Sequence, residues 1–552
     1  SLGVGGAGNA NHVNNTGTTY ASWTFRKKSG FFDCVTYTGD GTTGRSISHA
    51  LGGPVGMIIV KKTSGAGNWH VLHKSVSLGG SPNEGALRLN TTGFANSYSS
   101  NFNATFPTDS VFYVSHLAGA SSSTLNTTGE TYVAYVFADN SAEDADDQII
   151  KCGYYFGNSS TLQDINLGWE PQFLIVKNAS ASGGWYMWDS MRGFLGGANN
   201  GDGHPLYANA SSAEFNNDDA GLLSNGFQVA DALNTNSNLY IYMAIRAPMM
   251  KKPTAATDVF AIDTRGSSAA TADGVVWHSG FPVDLAIQKN VTGVSSPAAY
   301  DRFRGSYSLF TDTTAAESNQ GGHKFDSMNG FDVRTLSAAT NQPAWMWKRA
   351  KGFMDVVAYT GTGANMTVPH SLGAVPEMMW IKHRSEARSW MVYHSGIGAS
   401  KRLVLDTNAA EAVAGANYFQ ELTPTASGFY VGTANTTNGS GDGMLAYLFA
   451  TVAGVSKVGS FVGNGTSQNI DCGFSSGARF VLLKNTSAAH GWHLFDATRG
   501  IVAGNDPYLL LDTTAAQYTN LDMIDPHNSG FTVLDHGEIN GNGNTIIFYA
   551  IA

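Results

Sequence analysis

One pattern recurs five times along this chain, and it constrains the fold more than any single residue does. An apolar run ends in lysine, an aromatic run follows, then an L-x-x-[DN]-T-type segment, then a last apolar strand. The lysines that close the runs are Lys61, Lys177, Lys289, Lys382 and Lys484, which by subtraction lie 116, 112, 93 and 102 residues apart. A period of about 100 residues is too long for a solenoid turn and matches a whole small domain. The chain therefore reads as a string of like modules, an arrangement suited to reach and multivalency.

Within each copy, short runs with period-two alternation recur about every ten residues, separated by Gly, Asn, Ser and Thr turns. In the fourth copy the spacing predicts strands at 354–359, 366–369, 378–382, 390–393, 402–405, 428–432 and 444–449. Seven strands in about 100 residues is the arithmetic of a two-sheet sandwich. Thr38-Gly39-Asp40-Gly41, Thr360-Gly361-Thr362-Gly363 and Val462-Gly463-Asn464-Gly465 offer the positive-φ positions of tight hairpins. Asp312, Asp406 and Asp512, each opening an Asp-Thr-x-Ala-Ala segment, read as N-caps of single helical turns.

The copies also differ in a regular way. His49-Ala-Leu-Gly52 and Trp69–His73 return as His370-Ser-Leu-Gly373 and Trp390–His394. Trp185, Asp189, Arg192 and Gly193 return as Trp492, Asp496, Arg499 and Gly500. The third copy lacks the tryptophan and places Tyr300 and Phe303 nearby. The expected fold is all-β: five tandem antiparallel β-sandwich modules of jelly-roll or lectin-like type, in the order A-B-X-A-B. Their bounds are 29–142, 149–250, 257–350, 352–452 and 457–552. Residues 1–28 read as terminal strands of an incomplete module, because Tyr20-Ala-Ser-Trp23-Thr-Phe-Arg26 mirrors Pro343–Lys348. The Tyr20–Phe25 strand is expected to pair with a sheet outside the module string, burying Tyr20, Trp23 and Phe25 there.

Composition narrows the function. Only 13% of residues are charged, while 42% are hydrophobic and 11% aromatic, so the chain has ample core beneath a neutral, hydroxyl-rich surface. A formal charge of −10, with no Lys/Arg cluster, argues against nucleic acid as a partner. No apolar run is long enough to span a bilayer, so membrane insertion is not expected, nor is a signal peptide. Cys34, Cys152 and Cys472 fit buried thiols better than a disulfide framework.

No catalytic motif with convincing spacing occurs, so no catalytic residue, metal or cofactor is assigned. His49/His370 and His73/His394 suggest an acid–base or metal pair, but in the B modules Asp189 and Asp496 replace His73 and His394, which favours a structural role. Glu143–Asp147 and Asn216–Asp219 lack the converging ligands calcium needs, and the first reads as a solvated linker between modules 1 and 2. Trp69, Trp185, Trp390 and Trp492 carry two readings: core anchors, which their apolar neighbours favour, or aromatic platforms for glycan contact.

Thr131–Ala138, Leu239–Ala244, Phe31–Gly39 and the Lys-ended strands with their following Trp resemble something familiar. They are similar to the tandem β-sandwich repeats of tail-fibre or appendage proteins in tailed phages, particularly marine and cyanobacterial ones. The resemblance implies a non-enzymatic structural protein of the virion surface, made in the host cytoplasm and used for host attachment. Its implied partners are further copies of itself, other virion proteins and a bacterial surface glycan. The rival readings are a bacterial surface-layer or matrix adhesin and a secreted carbohydrate-active enzyme. The last would need paired carboxylates facing one cleft, and Asp and Glu are sparse within the strands.

Overall fold

The computed structural model describes residues 20–76, 85–95, 101–116, 124–143, 148–198, 203–247, 250–265, 277–320, 323–333 and 342–552. The chain divides into two compact units, residues 1–153 and 154–552. The described strands form antiparallel sheets whose members come, by sequence position, from one repeat at a time.

The fourth repeat shows why the sequence folds this way. Along Met354–Thr360, residues Met354, Val356 and Ala358 face one side of the sheet, and Val357 and Tyr359 face the other. Both sides are apolar, so both must be covered. The large sheet runs Met354–Thr360, Gly443–Phe449, Met378–His383, Met391–His394, Lys401–Val404 and Ala412–Val413. A second, two-stranded sheet of Met366–Pro369 and Gly428–Val431 covers its inner face. Between the two lie Val357, Tyr359, Met379, Ile381, Phe429 and Val431, the module's private core. The same strand order returns in the other modules, with a third strand joining the small sheet in modules 2, 3 and 5. The predicted strands of module 4 fall within a residue or two of those observed, and Ala412–Val413 is an addition.

The glycine pairs do something other than make hairpins. Each turn carries the chain from the large sheet to the small one, as between Phe32–Thr38 and Arg45–Ser48. The second glycine supplies the left-handed backbone, with φ of +80° at Gly41, +69° at Gly363 and +68° at Gly465. The first admits a close approach: a Cβ on Gly39 or Gly361 would sit 2.0 Å from the carbonyl oxygen of Thr127 or Gly439.

In the larger unit the modules share a core. The outer faces of the large sheets of modules 3, 4 and 5 form one continuous core, and module 2 contributes to it. Near its centre Phe260 meets Phe480 at 5.3 Å, Trp347 meets Phe480 at 5.5 Å, Trp380 meets Phe449 at 5.1 Å and Phe449 meets Tyr549 at 5.0 Å. Each such buried ring contributes about 2–3 kcal/mol of transfer free energy, so these modules stabilise one another.

The expected N-caps are also corrected. No helix follows Asp406 or Asp512. Their carboxylates instead accept the main-chain N–H of Trp390 (2.7 Å) and Trp492 (2.9 Å). Asn209 and Asn90 do the same for Trp185 (2.7 Å) and Trp69 (2.9 Å). The recurring Asp or Asn thus pins the start of the tryptophan strand.

In the smaller unit, Tyr20–Phe25 joins no sheet among the described residues, and Tyr20 is 49% exposed. Trp23 and Phe25 are half-buried. Phe25 packs 5.6 Å from both Phe32 and Phe137, and Lys27 pairs with Asp33 at 3.0 Å. The described contacts of this segment lie against its own module.

Candidate functional sites

Three of the recurring lysines, Lys289, Lys382 and Lys484, end their strands inside the larger unit, where each reaches a main-chain carbonyl of another module. Lys382 of module 4 donates to Thr314 O of module 3 at 2.9 Å, and to Arg388 O of its own module at 2.6 Å. Lys289 of module 3 donates to Leu510 O (3.1 Å) and Thr513 O (2.5 Å) of module 5. Lys484 of module 5 donates to Asn408 O of module 4 at 2.9 Å. Module 4 holds module 3, module 3 holds module 5, and module 5 holds module 4. The cycle closes.

Three main-chain bonds repeat the cycle beside the lysines: Glu317 N to Arg384 O (2.8 Å), Glu411 N to Thr486 O (2.8 Å) and Gln517 N to Val291 O (3.0 Å). Burial pulls the ammonium groups of Lys289, Lys382 and Lys484 down to about 8. Lys177, buried in module 2, falls to about 8 for the same reason.

A second set of joints uses aromatic side chains. The indole N–H of Trp390 donates to Phe310 O at 2.9 Å, and that of Trp492 to Val404 O at 3.0 Å. Trp345 of module 3 donates to Asp496 of module 5 at 3.0 Å, and Tyr447 of module 4 to Asp301 of module 3 at 2.6 Å. Both carboxylates are held by an arginine three residues on, Arg499 (2.6 Å) and Arg304 (2.5 Å). Asp189 and Arg192 repeat the pair in module 2 at 2.7 Å.

These contacts place the residues singled out in the sequence. Trp185, Trp390 and Trp492 are buried, so their rings offer no open face to a sugar; Trp69, in the smaller unit, is half-buried. In module 3 the tryptophan position is Pro297, whose carbonyl accepts Thr311 N at 3.0 Å just as Trp390 O accepts Leu405 N at 3.1 Å. Tyr300 faces that module's private core and Phe303 the shared one. His49 and His370 are structural twins, reaching Thr108 O and Thr425 O at 3.2 Å in each case. His73 and His394 accept main-chain N–H groups two residues on, from Ser75 (3.1 Å) and Gly396 (3.0 Å). Cys34, Cys152 and Cys472 are unbridged. Of the acidic stretch 143–147, residues 144–147 lie outside the described residues.

Sequence reasoning missed Asp301 and Arg304, although Asp301-Arg-Phe-Arg304-Gly305 has the D-x-x-R-G spacing of Asp189–Gly193 and Asp496–Gly500. It also missed two His–carboxylate pairs: His383 with Asp442 at 3.1 Å, and His493 with Glu538 at 2.8 Å. Glu538 lies within the one-turn helix Gly537–Asn540, whereas Asp442 lies past the one-turn helix Asn435–Asn438, just before strand Gly443–Phe449. His493 Nδ1 already contacts Gly491 O at 3.0 Å, which leaves neither ring nitrogen for a reacting group.

No group of three or more His, Cys, Asp or Glu with metal-holding geometry occurs among the described residues. A cleft of about 160 Å³ lies where modules 2 and 4 meet, lined by Leu162, Gln228, Thr360, Arg384 and Asp442. It falls below the usual ligand-site range. Its polar groups are also engaged: Gln228 donates to Asp164 (2.7 Å) and Thr360 (3.0 Å), and Arg384 forks onto Glu317 at 2.9 Å through both nitrogens. No helix among the described residues is long and apolar enough to cross a membrane.

A family described as a domain of unknown function (DUF7483) matches residues 2–248 and again residues 258–552. The second span takes in modules 3, 4 and 5 as one piece. No curated protein matches the chain.

Proposed function

From the premise that the chain belongs to the DUF7483 family, we propose that it is a non-enzymatic structural protein of a phage virion, a tail fibre or surface appendage. One observation carries this reading. Polar residues that recur among modules 3, 4 and 5, the lysine in all three, the tryptophan in 4 and 5 and the Asp–Arg pair in 3 and 5, serve as joints between modules. Repetition of that kind builds a stiff body rather than a repeated reaction centre. The 13% charge content suits a particle surface that must not adhere indiscriminately.

In this role the chain works with further copies of itself and other virion proteins and presents its outer surfaces to the host cell. Weak glycan contacts on such surfaces gain strength through copy number. Of the four recurring tryptophans, Trp69 is the candidate for one. A second reading, a bacterial surface-layer or matrix adhesin, draws on the same repetition and surface.

Mass spectrometry of density-purified phage particles from a culture encoding the chain separates the two. The virion reading expects its peptides at structural-protein abundance in the particles. Their recovery solely from the bacterial wall fraction would sink it in favour of the adhesin.

A further inference from the structure

Three seams hold modules 3, 4 and 5 together, and their joints differ in kind. The two seams of module 3 rest on carboxylates held by arginine. Arg384 of module 4 forks onto Glu317, and Tyr447 of module 4 donates to Asp301, which Arg304 holds. Trp345 donates to Asp496 of module 5, which Arg499 holds. In module 4 the position of Asp301 and Asp496 is taken by His394, and it faces the seam with module 5. This imidazole is fully buried, and its Nδ1 accepts Gly396 N–H at 3.0 Å, so the proton of the neutral ring sits on Nε2. Nε2 is enclosed beside the main chain of Phe548 in module 5 and makes no full hydrogen bond. The turn after it abuts the same module: a Cβ on Gly396 would sit 2.9 Å from Ser460 Cβ. Along the strands packed round it, Ser456–Val462, Thr545–Ile551 and Met378–His383, the titratable groups are Lys457, Tyr549, Lys382 and His383. Tyr393 shares its strand, and Glu377 precedes Met378. None of these pairs with it among the described residues. A second proton has to go on Nδ1, where it meets the Gly396 N–H, donor against donor.

A second group of imidazoles stands behind the other joints of this seam. Lys484, which donates to Asn408 O of module 4 at 2.9 Å, donates also to His490 O. Trp492, whose indole donates to Val404 O of module 4 at 3.0 Å, is followed directly by His493. His490 and His493 both face Glu538, at 4.0 and 2.8 Å, and His536 acts on the same carboxylate. Tyr508 packs 5.4 Å from the His493 ring, and Asp512 attracts Lys484. One carboxylate compensates one imidazolium, so further protons stand uncompensated beside the Lys484 ammonium. Burial makes His490 harder to protonate; Glu538 opposes that, while His493, Lys484 and His536 add to it. The remaining histidines of modules 4 and 5 bond inside their own modules: His370 to Thr425 O, His383 to Asp442 and His527 to Ser529.

We propose that the seam between modules 4 and 5 is an acid-sensitive joint: proton uptake at His394 and in the His490–His493–His536 group parts module 5 from module 4, while both keep their seams with module 3. The sign follows from burial. Burial pulls His394 down to about 4, below the unfolded value of about 6.5, so its contribution is complete above about 6.5 and is lost as pH falls toward 4. His490 is shifted in the same direction and adds to the effect. The arginine-held carboxylates of the other seams take up protons only near their ordinary values of about 4. An opening that frees His394 alone becomes about twentyfold more favourable between pH 7 and pH 5.

Three main-chain amides report the seams separately in the intact chain. Glu411 N bonds Thr486 O across the seam of modules 4 and 5, Glu317 N bonds Arg384 O across that of 3 and 4, and Gln517 N bonds Val291 O across that of 3 and 5. Hydrogen-exchange protection factors, which correct for the intrinsic effect of pH, are measured at pH 7 and pH 5. Glu411 should lose about tenfold or more of its protection, while Glu317 and Gln517 change by less than about threefold. In the double variant His394→Asn, His490→Gln the loss at Glu411 should shrink below about threefold. The proposal is overturned if Glu411 in the wild-type chain keeps its protection at pH 5, or if all three amides lose theirs together. It is equally overturned if the folded double variant loses protection at Glu411 as the wild-type chain does. Should the double variant not fold, the wild-type comparison of the three amides decides alone.

Discussion

The ammonium of Lys382 lies 2.9 Å from the carbonyl oxygen of Thr314, 68 residues earlier and in a different module. A second carbonyl, that of Arg388, is bonded at 2.6 Å. Lys382→Met keeps most of the stem's packing and strands both acceptors in a dry interface, at about 1–3 kcal/mol for each. Urea denaturation of the variant should therefore show a loss of about 2–5 kcal/mol. A loss below about 0.5 kcal/mol, the range of ordinary surface changes, would mean the joint is incidental.

The same lysines set a pH dependence whose sign follows from burial. Their folded-state values near 8 lie below the unfolded value of about 10.4. Between these limits the unfolded chain binds more protons, so the lysine contribution to stability rises with pH through that window. Compared with Lys382→Met, the wild-type protein should gain relative stability from pH 7.5 to 10 in paired denaturation curves. A gap that narrows instead would show that the folded ammonium is favoured over its unfolded form.

His394 works in the opposite pH range. Burial lowers it to about 4, so it folds neutral while the unfolded imidazole titrates near 6.5. Its contribution is complete above about 6.5 and is lost as pH falls toward 4, amounting to up to ~3 kcal/mol. His394→Asn keeps an acceptor for Gly396 N–H and has no proton to take up. The variant should melt with a shallower acid dependence between pH 6.5 and 4.5, and parallel acid profiles would contradict the assignment.

Much of this fold was legible in the chain. The strand positions of module 4 followed from alternation, because each sheet alternates side chains between a private core and a second surface. What alternation cannot say is what covers that second surface. Val356 and Val357 are equally apolar, yet Val357 faces module 4's own small sheet and Val356 the core shared with other modules. The recurring Lys and Trp were visible as a pattern, but their acceptors are main-chain carbonyls such as Thr314 O and Val404 O, which leave no residue-type signature. Asp406 was misassigned as a helix cap because Asp before Thr suits a cap as well as it suits pinning Trp390 N–H.

Arg349 should be the costliest single polar residue to remove. It lies in the connection between modules 3 and 4, forks onto Glu170 of module 2 at 2.7 and 2.8 Å, and meets Asp355 of module 4 at 2.7 Å. Burial pushes the Glu170 carboxyl up, and Arg349 opposes that push. Arg349→Ala leaves two buried carboxylates without their counter-charge, which costs about 3–5 kcal/mol. Arg349→Lys restores charge without the fork and should recover only part of the loss. Equal denaturation midpoints for the Lys variant and the wild-type protein would show that charge alone suffices.

Trp390→Ala decides between anchor and platform at that position. The ring is buried in the core shared by modules 3, 4 and 5, and its N–H reaches across to Phe310 O. Removing it opens a cavity and orphans a carbonyl, for a loss of about 3–5 kcal/mol. Because the ring belongs to a joint between modules, the loss should loosen module 3 from module 4. Hydrogen exchange should speed at Phe310–Thr314 as well as around residue 390. Trp69→Ala, at the half-buried counterpart, should cost less stability. If Trp390→Ala melts with the wild-type protein while cell attachment falls, the ring contacts glycan and the anchor assignment is wrong.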